Sequence, residues 1–234
     1  RKIADKEDLL FHLEKYLSFI PAQTTGNDPD ISLFDHCKLT AAITVCLAQE
    51  IENGFLDDVK IKQLLKNMIS NEIQDEHFLL INADLSGIQN FIFNIPSKSA
   101  AKSLKGRSIY LTLLMESICD FLIKNLNLES ANVVYNGGGN FFILAPRSSE
   151  KKILELRKEI SKILFEYHKG SLICNIGFAN IKISDFKDFR AVWKKASEST
   201  SKQKQQKLSE IWEDNYEEMF SPKTIMRDEK ICSV

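Results

Sequence analysis

The chain has 234 residues, 44% of them hydrophobic and 27% charged, with a formal net charge of -1. This is enough for one sizeable core with helical additions, and it excludes a globally basic nucleic-acid binder, so any RNA or DNA contact must come from local patches. No apolar run approaches the length of a membrane span and no secretory signal opens the chain.

In chain order, the first clear element starts at Ser32. Ser32 is an N-cap, and Asp35 at the third helical position completes an acidic capping box. The following helix, 33–51, is apolar nearly all round (Phe34, Ile43, Val45, Leu47, Ile51) and is expected between other elements. Asp35-His36 is not read as a metal site, because adjacent helical residues point in different directions. A second helix is expected over 54–76 on the Val59, Leu64, Leu65, Met68, Ile69 spacing, ending in a polar stretch that marks a domain boundary.

Phe78-Leu79-Leu80-Ile81 then reads as a central strand ending at Asp84-Leu85-Ser86-Gly87, before a short helical pattern on Ile88, Phe91, Ile92 and Ile95. After Pro96 a long helix, about 101–126, should bury Leu104, Ile109, Leu111, Leu114, Ile118, Phe121 and Leu122. Two β-like runs within 133–144 flank Gly137-Gly138-Gly139 and can only form an antiparallel hairpin. Ser149 should cap a helix through about His168, and 172–178 supplies a fourth strand. The order strand, helix, strand, strand, helix, strand is the ferredoxin-like α+β unit βαββαβ, a four-stranded antiparallel sheet with helices on one face, here preceded by a helical segment.

Cys37, Cys46, Cys119 and Cys174 lie in apolar patterns and are expected as small buried hydrophobes in a reducing cytoplasm, not as a disulfide framework; Cys232 stands apart. Arg1 and Val234 lack the look of natural ends, so the chain is expected to be a fragment.

Two places can carry chemistry. The backbone N–H groups of Ser86, Gly87 and Ile88, at a helix start, suit an anion such as a triphosphate, although a plain strand-to-helix turn explains them equally. The triple glycine, on a strand next to Asp84, gives a side-chain-free surface for a base or ribose, or is a turn without a ligand. Palm-type nucleotide cyclases write this turn Gly-Gly-Asp/Glu-Asp/Glu-Phe; here Gly139 and Asn140 stand at the acidic positions, and neither can serve as a charged metal ligand. Lys98, Lys102, Lys105 and Arg107 are candidate phosphate contacts beside an exposed-face reading. Lys194, Lys195, Lys202, Lys204 and Lys207 fall in a Ser/Gln-rich stretch that reads as a mobile connector, with RNA contact as a minority reading.

The runs 84–92, 102–111 and 136–141, in this order, resemble the first palm domain of the large, polymerase-like subunit of type III-A CRISPR effector complexes. The upstream 30–36 is similar to the segment joining that family's HD nuclease domain to its palm. The resemblance implies three parts: a linking segment over 1–76, the degenerate first palm over 77–200, and a connector with the start of a zinc-binding domain over 201–234. It also implies that the full-length subunit cuts single-stranded DNA with its HD domain and makes cyclic oligoadenylate from ATP, once target RNA binds, between two facing palms.

The implied nucleotide site of the non-catalytic first palm is Asp84, Leu85, Ser86, Gly87, Ile88, Arg107, Gly137, Gly138, Gly139 and Asn140, with no catalytic residue. ATP with Mg or Mn would be bound jointly with the second palm, and Cys232 would open a zinc-binding CxxC insertion. Implied partners are that second palm, the other subunits, and the guide and target RNA, with no membrane. The chain departs from the pattern in having neither an HD motif before Asp35 nor Gly-Gly-Asp-Asp. A stand-alone cyclase, against which the missing acids argue, and a purely structural scaffold are the other readings.

Overall fold

The computed structural model describes residues 6–25, 30–57, 59–62, 76–94 and 100–220. Two helices come first, α1 (Lys6–Leu17) and α2 (Leu33–Glu52). α2 starts at its expected N-cap: extended Ser32 accepts the Asp35 N–H at 3.0 Å, satisfying one otherwise unpaired donor, while the Asp35 carboxylate accepts from the Ser32 hydroxyl at 2.7 Å. Its burial is narrower than expected. Phe34, Ala42, Cys46 and Glu50 form the buried stripe, while Leu39 and Ile51 are exposed, because the helix covers one layer and is not sandwiched between two. Of the apolar positions expected in the second helix, Val59 is exposed, and Leu64, Leu65, Met68 and Ile69 lie outside the described residues.

The sheet holds β1 (Glu76–Ser86), β2 (Val133–Gly137), β3 (Asn140–Pro146) and β4 (Ile173–Lys182) in the order β2-β3-β1-β4, with every pairing antiparallel. α3 (Ile88–Phe93) and α4 (Ala100–Asn125) follow β1, and α5 (Glu150–His168) follows β3. The fold is therefore α+β with the ferredoxin-like order. β1 is central, so both of its faces are buried, which is why 78–81 carries no polar residue.

Strand alternation sorts the core into two layers. Leu79, Ile81, Ala83 and Leu85 of β1 and Phe141, Ile143 and Ala145 of β3 face α4 and α5, packing on Met115, Leu122, Leu156 and Ile160. Phe78, Leu80, Phe142 and Leu144 face the other way. That second face is also covered: Ala42 and Cys46 of α2, and Val192 and Ala196 of α6 (Phe189–Gln206), pack there. The unit's own helices thus lie on one face as expected, and elements flanking it cover the other.

α6 corrects the reading of 194–207 as a mobile connector: Phe189–Gln206 is a helix seated on β4 and β1. Its polar composition misled because Val192, Ala196 and Thr200, spaced four apart, suffice as a buried stripe. The seat depends on Gly177 of β4, where a Cβ would lie 2.4 Å from Thr200 N and 2.6 Å from Ser199 C. α7 (Trp212–Phe220) follows, and the turn before it returns to α5 through Leu208, Ile211 and Phe165. Asp214 Oδ2 lies 3.1 Å from Lys158 Nζ and 2.6 Å from Lys162 Nζ, and these partners hold its carboxyl below the ordinary value.

Three local expectations fail for physical reasons. Ile109 is exposed, because it lies two residues from Leu111 and hence on the opposite side of α4. Ser149 makes no capping bond, since it belongs to the short 3-10 turn Arg147–Ser149, and the buried carboxylate of Glu50 accepts the Ser148 N–H at 2.7 Å instead. Cys37 is exposed on α2, whereas Cys46, Cys119 and Cys174 are buried and burial pushes each thiol up to about 12, which keeps them neutral packing groups.

Candidate functional site

Gly137 pairs with Asn140, which leaves Gly138 and Gly139 as a two-residue loop with φ of 63° and 82°. Positive φ at both central residues is the hairpin turn whose twist matches the strands, and only glycine takes it without cost. The turn is tied to β1 by the Leu85 N–H, which donates to Gly139 O at 2.9 Å. A Cβ on Gly139 would lie 2.6 Å from Ile88 Cδ1, while one on Gly138 would point into open space.

Gly138 also lines a cleft of about 320 Å³ on the α4 side of the sheet. Its floor is Asn136 and the backbone of Gly137, Gly138 and Gly139; its apolar walls are Ile88 and Ile92 of α3 with Leu111 and Met115 of α4. Ser108, Thr112 and Glu116 supply the polar rim. These three recur every four residues along α4 and form one row. Sequence reading missed them because it followed only the apolar positions of that helix; the polar row at helical spacing was the available signal. Apolar walls, a backbone floor and a rim with two hydroxyls and a carboxylate suit a flat heterocycle with a hydrogen-bonding edge.

Asp84, Ser86 and Asn140 do not face this cleft. Alternation along β1 and β3 turns them to the α6 side, where Asp84 stands directly opposite Asn140 on one neighbour and Asn175 on the other. Asn82 Nδ2 donates to Asn140 Oδ1 at 3.1 Å and Phe141 O at 3.2 Å, and Asn175 Nδ2 donates to Ser86 Oγ at 2.8 Å and Asp84 O at 3.2 Å. Thr200 Oγ1 donates to Asn82 O at 3.1 Å. One turn further along α6, Lys204 Nζ lies 2.5 Å from Asp84 Oδ2, an oxygen that is buried and has the ammonium rather than a directed hydrogen-bond donor beside it. The expected site therefore divides: Ile88 and Gly137–Gly139 around the cleft, and Asp84, Ser86 and Asn140 on the opposite face, meeting only at the sheet end. Leu85 is buried in the α4-side core and contributes its backbone alone.

The remaining expected residues are placed otherwise. Gly87 caps the six-residue α3 with φ 94°, and a Cβ there would lie 2.0 Å from Ser171 O, so close passage of the chain entering β4 is itself sufficient reason for the glycine. Arg107 closes the end of α3: its guanidinium donates to Phe91 O and, at 2.9 Å, to Asn94 O, and sits 5.3 Å from the Phe91 ring centroid. Lys102, Lys105, Lys194, Lys195, Lys202 and Lys207 are exposed, and Lys98 and Cys232 lie outside the described residues.

The α6-side cluster does not fit a hard divalent metal. Such ions take several oxygen ligands with more than one carboxylate. Here Asp84 is accompanied by neutral amides and an ammonium, and among the described residues no three His, Cys, Asp or Glu side chains gather around a possible ion. No helix among the described residues is long and apolar enough to cross a membrane.

Comparison with known proteins agrees with this architecture. The chain is 36% identical over 228 residues to the CRISPR system single-strand-specific deoxyribonuclease Cas10/Csm1 (subtype III-A) of Methanocaldococcus jannaschii, an alignment covering 85% of this chain but 28% of that relative. A Csm1–Csm4 cassette in complex with cA4 superposes with a TM-score of 0.73 at 29% identity, covering 88% of this chain and 27% of that one. The cassette in complex with one ATP gives the same TM-score, identity and coverage, 0.73, 29%, 88% and 27%. Residues 77–223 match the family described as Csm1 subunit domain B, from within β1 past the end of α7. With that match extending over more than half of its length, the chain belongs to the Csm1 family of type III-A CRISPR systems.

Proposed function

We propose that this chain is the nucleotide-binding, non-catalytic first palm of a type III-A CRISPR large subunit. The cleft floored by the Gly138–Gly139 turn takes the adenine of one ATP, with Ile88, Ile92, Leu111 and Met115 against the ring faces and the row Ser108, Thr112, Glu116 at its polar edge. The observation that carries this reading is a side-chain-free floor under an apolar slot, in a chain similar to one whose structure was solved with ATP. The phosphates would leave the cleft across the sheet end toward a second palm outside this chain. That second palm would hold the metal, Mg or Mn, and make cyclic oligoadenylate when guide and target RNA pair in the assembled complex. The HD domain of the whole protein would cut single-stranded DNA. The neighbouring subunits include one like the Csm4 of the similar cassettes.

Calorimetric titration of the chain with ATP tests the cleft directly. Wild type should bind, and Gly138→Val should lose at least tenfold in affinity, since it adds a side chain to a residue that lines the cleft and strains the turn by about 1–2 kcal/mol. In the complete subunit the same substitution should abolish oligoadenylate synthesis and leave DNA cleavage working. A folded Gly138→Val variant with the parental affinity and synthesis rate would falsify the ligand role of this turn and leave a structural scaffold.

A further inference from the structure

The cluster on the α6 side of the sheet end differs from what a metal-holding palm needs in a specific way, and the difference centres on Lys204. Asp84 and Asn140 are cross-strand partners with their side chains on the same face. Side chains so placed have Cβ atoms about 4.5–5.5 Å apart, close enough for two carboxylates to share one cation. Only one carboxylate is present, and an ammonium already lies 2.5 Å from it. Lys204 is held there by its helix. Thr200, one turn earlier on the same face, is fastened to the backbone of Asn82, and Gly177 allows α6 to lie on β4 at all. The Lys204 side chain is 43% exposed, but the helix that carries it is fixed at two points.

We infer that Lys204 is the resident cation of this strand end, standing where a divalent ion would be held if Asn140 were an acid, and that it keeps this palm free of metal. This inference rests on reading the chain as a degenerate palm. A monovalent ammonium on a covalent tether needs no second carboxylate, so Lys204 and Asn140 are matched. An acid at 140 would leave negative charge in excess, and loss of Lys204 would leave Asp84 unpaired. The matched pair also explains why the other oxygens here are amides: Asn82, Asn140 and Asn175 bond to one another, to Ser86 or to backbone without adding charge.

Manganese binding to the 234-residue chain, followed by loss of the free Mn²⁺ signal in electron paramagnetic resonance, tests this with no nucleotide present. Wild type, Lys204→Met and Asn140→Asp should bind weakly or not at all. The double variant Asn140→Asp/Lys204→Met should bind at least tenfold more tightly than Asn140→Asp alone, and adding Asp84→Asn should abolish the gain. Thermal melts establish that each variant is folded, with Lys204→Gln replacing Lys204→Met if the latter is not. Two results overturn the inference: Asn140→Asp binding Mn²⁺ as tightly as the double variant, or a folded double variant binding no better than wild type. Failure of the wild type to bind ATP would remove the nucleotide reading instead, and leaves the manganese comparison to decide this one.

Discussion

At the Gly138–Gly139 turn the two faces of the sheet end differently. On the α4 side the buried layer stops at Leu85 and Phe141, and a cleft opens between the turn and the row Ser108, Thr112, Glu116. On the α6 side Thr200 and Lys204 reach the strand ends and fill them with polar contacts to Asn82 and Asp84. Glycine is responsible in both places, with opposite results. At Gly177 the missing Cβ lets a helix backbone come down on the strand and close the face; at Gly138 a Cβ would meet nothing within 4 Å, and glycine serves the positive φ of 63° in the turn that lines the cleft. A glycine therefore marks close approach in one place and a special backbone conformation in the other, and only the surrounding structure says which.

The largest test of this contrast is Gly177→Val. Its side chain would collide with the backbone of Ser199 and Thr200, which cannot swing aside as a flexible side chain can, so α6 must lift. The expected loss is about 3 kcal/mol of stability in urea denaturation. Trp193, stacked 3.7 Å from the Phe142 ring centroid, should report the displacement by fluorescence. If the faces are independent, nucleotide affinity at the cleft changes less than twofold; a tenfold loss would show that one face governs the other. Thr200→Val is gentler, since it keeps the shape and deletes the bond to Asn82 O. It should cost about 1 kcal/mol, with the Trp193 signal unchanged. An effect indistinguishable from zero would mean that packing alone seats α6.

How much of this the sequence disclosed depends on which period carried the signal. The period-2 and continuous apolar runs disclosed all four strands and their order along the chain, because β1 is buried on both faces and the hairpin is pinned by its two-residue turn. Proximity of Asp84 to the turn was also legible, since the fold pairs Asp84 with Asn140. What sequence reading did not resolve was the side. Consecutive residues such as Asp84 and Leu85 belong to opposite faces, so a motif quoted as one string spans two environments. α6 was misread because three small or polar residues make its buried stripe, too weak a pattern beside its lysines, and Lys204 was grouped with exposed neighbours from which only its partner distinguishes it. Arg107, expected as a candidate phosphate contact, donates to the otherwise unpaired carbonyls ending α3.

The smallest effect concerns pH, and it belongs to the cleft side. His168, at the end of α5, has Nε2 2.8 Å from the Tyr110 hydroxyl of α4, and its ring meets Phe91 of α3 edge-on at 6.0 Å, so it joins the three helices around that side. Burial lowers its pKa below the ordinary value of 6.5. The folded chain therefore binds this proton less readily than the unfolded chain does. The resulting stability is present above 6.5 and is lost as pH falls through the lower, folded-state value. The side chain is only half-buried, so solvent screens the effect. A wild-type chain should lose slightly more melting temperature between about pH 7.5 and pH 5 than His168→Gln, in which no proton is taken up at this site. The other histidines contribute equally to both and cancel. Proton NMR of the His168 ring supplies the direct reading: a midpoint at or above 6.5 would remove the desolvation argument, while one below it would localise the pH response to the cleft face.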